Sequence, residues 1–340
     1  MDEVARRAGV SQSTVSVIVN GRDAQVRIAE QTKARVLAVI EEMGFRPNLA
    51  ARNLRLQRTR TIGFVTDHIA ASPFAGRIVL GAQDVALSHD HLLILVNTAG
   101  DRAVEDTAIE MLLDRQVDSL LYAAMAWRSV DLPATFASVP SILVNCWSDG
   151  SRLAEDYPAI APADTAGENL VARAVLARGH REIAYIGGPP DNAATGAREE
   201  GFRAALADAG VPVREHWMYN GGPEIGDGYR SAVRLLDHTD RPTALVCWND
   251  RLAAGALLAI LERGLRVPDD ISVVGYDDQE GLADQLSPAL TTVSIPHYEM
   301  GRAAVEAVMT ALAANRPVRG RQVPGRLIRR ASLGSVTPST

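Results

Sequence analysis

Residues 4–22 read VARRAGVSQSTVSVIVNGR, and this stretch decides the architecture of the N-terminal segment. Val4, Ala5 and Ala8 share one face of a short helix predicted over 2–8, which Gly9 stops. Ser11 is placed to cap a second helix running to Asn20, with Val15, Ile18 and Val19 on one stripe. Gln12, Ser13, Ser16 and Val17 are left on the other side. Two helices joined by a glycine turn, the second with a small polar face, form a helix-turn-helix, whose second helix enters the major groove of DNA. A third helix is predicted over roughly 30–43, with Ala34, Leu37 and Ile40 facing inward and Gly44 ending it. The same pattern also fits a three-helix packing module with no role on DNA.

Charge separates this segment from the rest. Residues 1–60 hold eleven Lys/Arg against six acids, a net +5, whereas the other 280 residues carry −11 within a total of −6. A basic segment on an acidic body is the footprint of a nucleic-acid module joined to something else. With 340 residues, 47% of them hydrophobic, the chain has material for two or three domains. No apolar run is long enough to span a membrane, and the first ten residues, MDEVARRAGV, lack the apolar stretch of a signal peptide. Cys146 and Cys247 are too far apart in sequence for metal-ligand spacing and read as free thiols of a reducing cytoplasm. The expectation is a cytoplasmic protein without membrane partner, metal or cofactor.

Residues 46–58 form a connector. Asn48 is placed to cap a short helix through Arg55, with Leu49, Ala50, Ala51 and Leu54 on its apolar side and Arg52, Arg55 and Arg58 basic. Two turns are too short to be a stable helix alone, and a flexible basic linker fits as well. From Thr61, apolar runs alternate with helical patterns. Strands are predicted at 61–66, 92–97, 119–123, 141–145, 183–188, 244–248 and 271–276, and helices include 78–88, 168–178 and 252–263. That alternation argues for parallel α/β sheets covered on both faces. Ligands of such sheets sit beyond the carboxyl ends of the strands. The residues there are Asp67 and His68, Asn145 and Trp147, Asn249 and Asp250, and Asp277 and Asp278. Asp, Asn and an aromatic platform suit a polyhydroxylated or heterocyclic ligand, although Asn and Asp are equally ordinary helix caps.

Several longer motifs carry a resemblance. The stretch 4–22, RVLAVIEEMGFRPNLAARNLR (35–55), RTRTIGFVTD (58–67), GHREIAYIGGP (179–189), REEGFRAAL (198–206), RPTALVCWND (241–250), ISVVGYDD (271–278) and PALTTVSIP (288–296) together resemble the LacI/GalR family over nearly the whole chain. The resemblance implies an α/β protein with an N-terminal three-helix helix-turn-helix and hinge helix, followed by a bilobed periplasmic-binding-protein-like domain of two parallel α/β lobes. It implies a helix-turn-helix at 1–45, a hinge at 46–59 and an effector-binding and dimerisation domain at 60–335. Within that domain the lobe nearest DNA takes 60–160 and 294–321, the distal lobe takes 165–288 and 325–330, and crossovers lie near 161–164, 289–293 and 322–324.

The implied function is a repressor that binds double-stranded, pseudo-palindromic operator DNA as a homodimer under control of a small-molecule effector. Gln12, Ser13 and Val17 would read bases, with Thr14, Ser16 and Asn20 on phosphates. In the hinge, Asn48, Ala51, Leu54 and Arg55 would meet DNA, Leu54 wedging into a minor-groove step. Asn145, Arg198, Asn249 and Asp277, with Phe74 from the opposite lobe, are the implied effector contacts, and Trp147 and Trp248 are candidate stacking surfaces. Departures matter here. Val17 stands where Arg is common, so the base it faces should differ from the family's usual preference. Ala29 stands where a Ser caps the third helix. Asn145, Ile295 and Pro223 replace a frequent Asp, Gln and aromatic, and Asn192 and Ala194 replace the Arg and Thr of purine binders, which argues against a purine base.

Two other classes share parts of this plan. An α/β enzyme would need a signature, and GxGxxG after the first strand, a Walker loop and GxSxG are all missing. His180 reads as structural, and His68 and His297 have no evident nucleophile partner. A bilobed solute-binding protein would not carry the basic helix-turn-helix.

Overall fold

The computed structural model describes residues 1–19, 26–45, 58–72 and 75–336, in two compact units, Met1–Thr59 and Arg60–Thr340. In the first unit, helices α1 (Asp2–Ala8), α2 (Gln12–Val19) and α3 (Glu30–Glu42) enclose a small core of Val4, Ala5, Ala8, Val15, Ile18 and Val36. Gly9 ends α1 in the left-handed region at φ 62°, and the Ser11 Oγ accepts the Thr14 amide at 3.1 Å, capping α2 as the sequence predicts. The α3 stripe needs correction. Val36 is buried, with Val39, Ile40 and Met43 packed beside it, whereas Ala34 is exposed and Leu37 is 46% exposed. Both series run at helical spacing, and periodicity alone does not say which one meets α1. Ala29 precedes α3 without a side-chain cap.

The second unit runs β1 (Thr61–Thr66), α4 (Arg77–Ser88), β2 (Leu92–Asn97), α5 (Arg102–Asp114), β3 (Ser119–Val130), β4 (Ser141–Ser148), β5 (Ala159–Pro162), α6 (Asp164–Leu176), β6 (Ile183–Gly187) and α7 (Ala193–Asp208). It continues with β7 (Met218–Asn220), α8 (Ile225–Leu236), β8 (Ala244–Cys247), α9 (Asp250–Glu262), β9 (Ser272–Val274), β10 (Thr292–Ser294), α10 (His297–Ala314), β11 (Arg321–Val323) and β12 (Arg326–Ile328). Six strands form a parallel sheet in the order β11-β5-β4-β3-β1-β2, and four form a second in the order β7-β6-β8-β9. β10 and β12 pair antiparallel beside the second sheet, where Asp277 bridges Ser294.

Each sheet is covered on both faces, as parallel sheets require. The first lobe packs α4 and α10 on one face and α5 on the other; the second packs α8 and α9 opposite α6 and α7. The inner strands accordingly read as near-continuous buried runs, β1 being buried at five of six positions, whereas edge strand β2 has none buried. The strands at 61–66 and 92–97 lie where the sequence predicts them. β12 falls within 325–330, the segment expected to close the distal lobe with a final strand, and β5, β7, β10 and β11, of three or four residues each, are additional to the strands predicted. The strand expected at 119–123 runs on to Val130 past a bulge.

Candidate functional site

On α2 of the first unit, Gln12 and Ser13 are exposed, while Thr14, Ser16 and Val17 are half-buried. The hydroxyls of Ser13 and Thr14 lie 2.7 and 2.9 Å from that of Ser11. Asn20, Asn48, Ala51, Leu54, Arg55 and Phe74 lie outside the described residues.

In the second unit a cavity of about 670 Å³ opens between the two sheets, beyond the carboxyl ends of their strands. At its base stands Arg198 of α7, 4% exposed. Its Nε donates to Asp164 at 2.8 Å, and one terminal nitrogen donates to the Trp248 carbonyl and, at 3.3 Å, to Asp277. The guanidinium lies 3.7 Å from the Tyr276 ring centre and 4.8 Å from that of Trp248. Two carboxylates fix its plane and two aromatic faces clamp it, so it is ordered before any ligand arrives. Burial raises both Asp250, fully buried, and half-buried Asp277 above the usual carboxylate range, and the Asp277 charge raises Asp250 further. Asp250 accepts from Thr292 Oγ1 and the Gln279 amide, each at 2.7 Å.

The structure sorts the other candidates. Asn145 lines the cavity at φ 56°, but its amide donates to the carbonyls of Ala124 and Met125 at 3.0 and 3.2 Å. Asn249 is not brought to the cavity: its Oδ1 caps α9 from the Leu252 amide at 2.8 Å, and its Nδ2 donates to the Pro223 carbonyl. Trp147 is also not among the lining residues and packs against Trp127, ring centres 4.8 Å apart; Trp127 itself lines the cavity. Asp67 is held away from it, accepting from the Met125 amide at 2.9 Å and from Arg128 at 3.1 Å. Asn192 caps α7 through the Ala194 amide, and both residues line the cavity. His180 is structural as expected, bonded to Thr243 Oγ1 and the Gly334 carbonyl, with burial lowering its pKa.

The sequence reading missed Trp127, Asp164, Arg77, His297, Arg321 and Arg326, all lining the cavity. His297 sits on the first turn of α10, and burial with nearby Arg77 and Arg198 drives its pKa down to about 4. Trp127 lies inside β3, in the bulge and four residues past the predicted strand end, so a rule that looks just beyond strand ends does not reach it.

Beneath Arg198 on α6 lies Glu168, fully buried, with no hydrogen-bond partner for either oxygen among the described residues, its pKa pushed up to about 8 by burial. Because that value exceeds the usual 4.5, the folded protein holds a proton that the unfolded chain gives up, and stability falls as pH rises through that window. Glu168→Gln is therefore expected to raise the melting temperature at pH 8 and leave it unchanged at pH 4. Equal effects at both pH values would show that the carboxyl is not neutral in the fold.

Comparison with known proteins agrees with this construction. The profile for bacterial regulatory proteins of the lacI family matches residues 1–48, and that for a periplasmic binding protein-like domain matches residues 172–333. The HTH-type transcriptional repressor PurR of Yersinia pestis is 33% identical over 317 residues, covering 92% of this chain and 90% of that protein. The lac repressor dimer bound to operator and the anti-inducer ONPF is 26% identical, with a TM-score of 0.73 over 98% of both chains. The complex of the transcriptional regulator CelR with cellobiose is 27% identical, with a TM-score of 0.65 over 97% of this chain and 98% of that one. The helix-turn-helix unit, the paired α/β lobes and these likenesses together mean that the chain belongs to the LacI family of bacterial regulatory proteins: it is a DNA-binding transcriptional repressor with an effector domain, not an enzyme.

Proposed function

We propose that the chain binds a pseudo-palindromic operator as a homodimer and that a sugar or sugar-like metabolite in the interlobe cavity sets its operator affinity. The observation that carries this is the clamped Arg198–Asp277 pair at the base of a cavity lined by both lobes. A ligand touching both lobes fixes their relative rotation and so biases the spacing of two DNA-binding units, which is coupling between two sites. Arg198, Asp277, Trp248 and Asn145 are the proposed effector contacts, joined by Phe74. Trp147 and Asn249 act behind them, as packing and as a cap. A sugar is favoured over a purine because Asn192 spends its side chain on a cap and Ala194 offers no polar atom. CelR with cellobiose is a relative that holds a sugar.

Thermal melting against glucose, galactose, cellobiose, hypoxanthine and guanine tests the effector class. Ligand at a hundredfold excess over Kd stabilises by about 2.7 kcal/mol. A shift with a sugar is the expected result; a shift with the purines alone would overturn the sugar reading.

On DNA, Gln12, Ser13 and Val17 are proposed to read base edges, with Thr14, Ser16 and Asn20 on phosphates and Asn48, Ala51, Leu54 and Arg55 in the minor-groove contact. Val17 offers only apolar contact, whereas Arg would make a bidentate bond to guanine. Val17→Arg is expected to change the preferred base at one position of each half-site, and an unchanged preference would remove Val17 from base reading.

The dimer is proposed to use the outward leucines Leu80 and Leu87 of α4, Leu92 and Leu95 of β2, and Leu258 and Leu261 of α9, all exposed in the single chain. Sedimentation at micromolar concentration should show a dimer, weakened by Leu258→Glu with Leu261→Glu. A monomer in the unaltered protein would contradict the symmetric assembly.

A further inference from the structure

Between β3 and β4 the register breaks. Ala123 pairs with Val144 and Arg128 with Cys146, so residues 124–127 bulge out opposite the single residue Asn145. A bulge of this size leaves several backbone groups without ladder partners, and here side chains take them up. Asn145 Nδ2 donates to the carbonyls of Ala124 and Met125, and Asp67 Oδ1 accepts the Met125 amide. Asp67 also holds Arg128, which reaches Tyr122 Oη at 3.2 Å; Tyr122 in turn donates to Glu105 at 2.5 Å. On the far side of the bulge Arg152 clamps Asp106 and Asp131. Side-chain bonds that take up the free backbone groups of a bulge brace it. The bulge braced in this way carries Trp127.

Trp127 belongs to the first lobe by chain but packs on both lobes. It packs against the hydrophobic core of the second lobe, the cluster that includes Ala194 and Trp248, while its other neighbour is Trp147 of the first lobe. It lines the cavity together with Ala194 and Trp248. A large aromatic on a braced bulge, half-buried against the opposite lobe, gives apolar area to the closed arrangement that an open one would return to water.

We propose that Trp127 is the contact that closes the cleft: it latches the first lobe onto the second, and effector entry requires this contact to part and re-form. The latch rests on the cavity being the effector site, and it adds a specificity consequence. The wall that Trp127 supplies is flat and apolar, so it selects a ligand with an apolar ring face.

Hydrogen exchange of the full-length protein, without DNA or effector, tests the latch by comparing the unaltered chain with Trp127→Ala, Trp127→Leu and Trp127→Phe. Amides over 190–198 of the second lobe are expected to exchange about fivefold faster in Trp127→Ala. An intermediate rate is expected in Trp127→Leu and a near-normal one in Trp127→Phe. Amides over 171–176 of α6, whose side chains belong to the other core cluster of that lobe, should stay unchanged in all of them. Unchanged exchange over 190–198 in the alanine and leucine variants would overturn the latch, as would an equal rise over 171–176, which marks general destabilisation. Failure of every sugar to bind would instead strike the effector reading, which this exchange experiment does not use.

Discussion

Arg198→Ala is expected to abolish the effect of any effector on operator binding and to destabilise the second unit by about 3 kcal/mol at pH 8. The arginine is the cation that Asp164 and Asp277 share, and Glu168 and Asp250 are buried nearby. Removing it leaves carboxylates buried without a countercharge, the case in which breaking an ion pair is most costly. It also frees the faces of Trp248 and Tyr276. The pH dependence has a definite sign. Stranded carboxyls have folded pKa values raised above their unfolded ones, so the penalty grows as pH rises through that interval and shrinks below about pH 4. Urea unfolding at pH 4.5 and pH 8 reads this directly. A deficit equal at both pH values would mean that the loss is one of packing rather than of charge.

Gly301→Ala is expected to cost about 3 kcal/mol, the upper end of the range for overpacking. A Cβ on Gly301 of α10 would sit 1.9 Å from the Ile78 carbonyl oxygen of α4, and one on Gly81 of α4 would sit 2.0 Å from that of Tyr298. The two helices thus meet backbone to backbone through reciprocal glycines, and neither obstacle is a side chain that can swing aside. Gly196→Ala is the matched control, since its Cβ meets nothing within 4 Å and it lies inside α7. There the gain in helix propensity should stabilise by about 0.5–1 kcal/mol. Thermal melting of the two variants should move in opposite directions. A Gly301→Ala melting temperature equal to that of the unaltered chain would show that the crossing relaxes.

Much of the architecture was legible because hydrophobic burial writes it locally. TIGFVT and LLILVN are strands to the residue, and Gly9 and Ser11 end and begin helices by local chemistry alone. What failed to show depends on partners distant in sequence. The choice between Val36 and Leu37 on α3 is made by where α1 sits. β11 is a short edge strand and β5 a short strand between it and β4, both ordered by their neighbours. Within the site, Arg198, Asp277, Trp248 and Asn145 do meet at one cavity. Asn249 and Trp147 share the position at strand ends that makes a residue a ligand candidate, yet their side chains are used by a helix cap and a ring contact. Position along the strand gives reach; only the packed structure says which atoms are left over. Trp127 escaped for the converse reason, because a bulge stitched by Asp67 and Asn145 has no local signature.

We propose that this chain reads a specific DNA sequence as a dimer, and selection of bound sequences from a random duplex pool, with the full-length protein at moderate salt, tests this. Enrichment of a pseudo-palindrome with a flexible central step is expected, bound with an affinity that falls steeply as salt rises. Enrichment of a single unpaired half-site would contradict the dimer, and no enrichment with or without the sugars that stabilise the protein would contradict the claim itself.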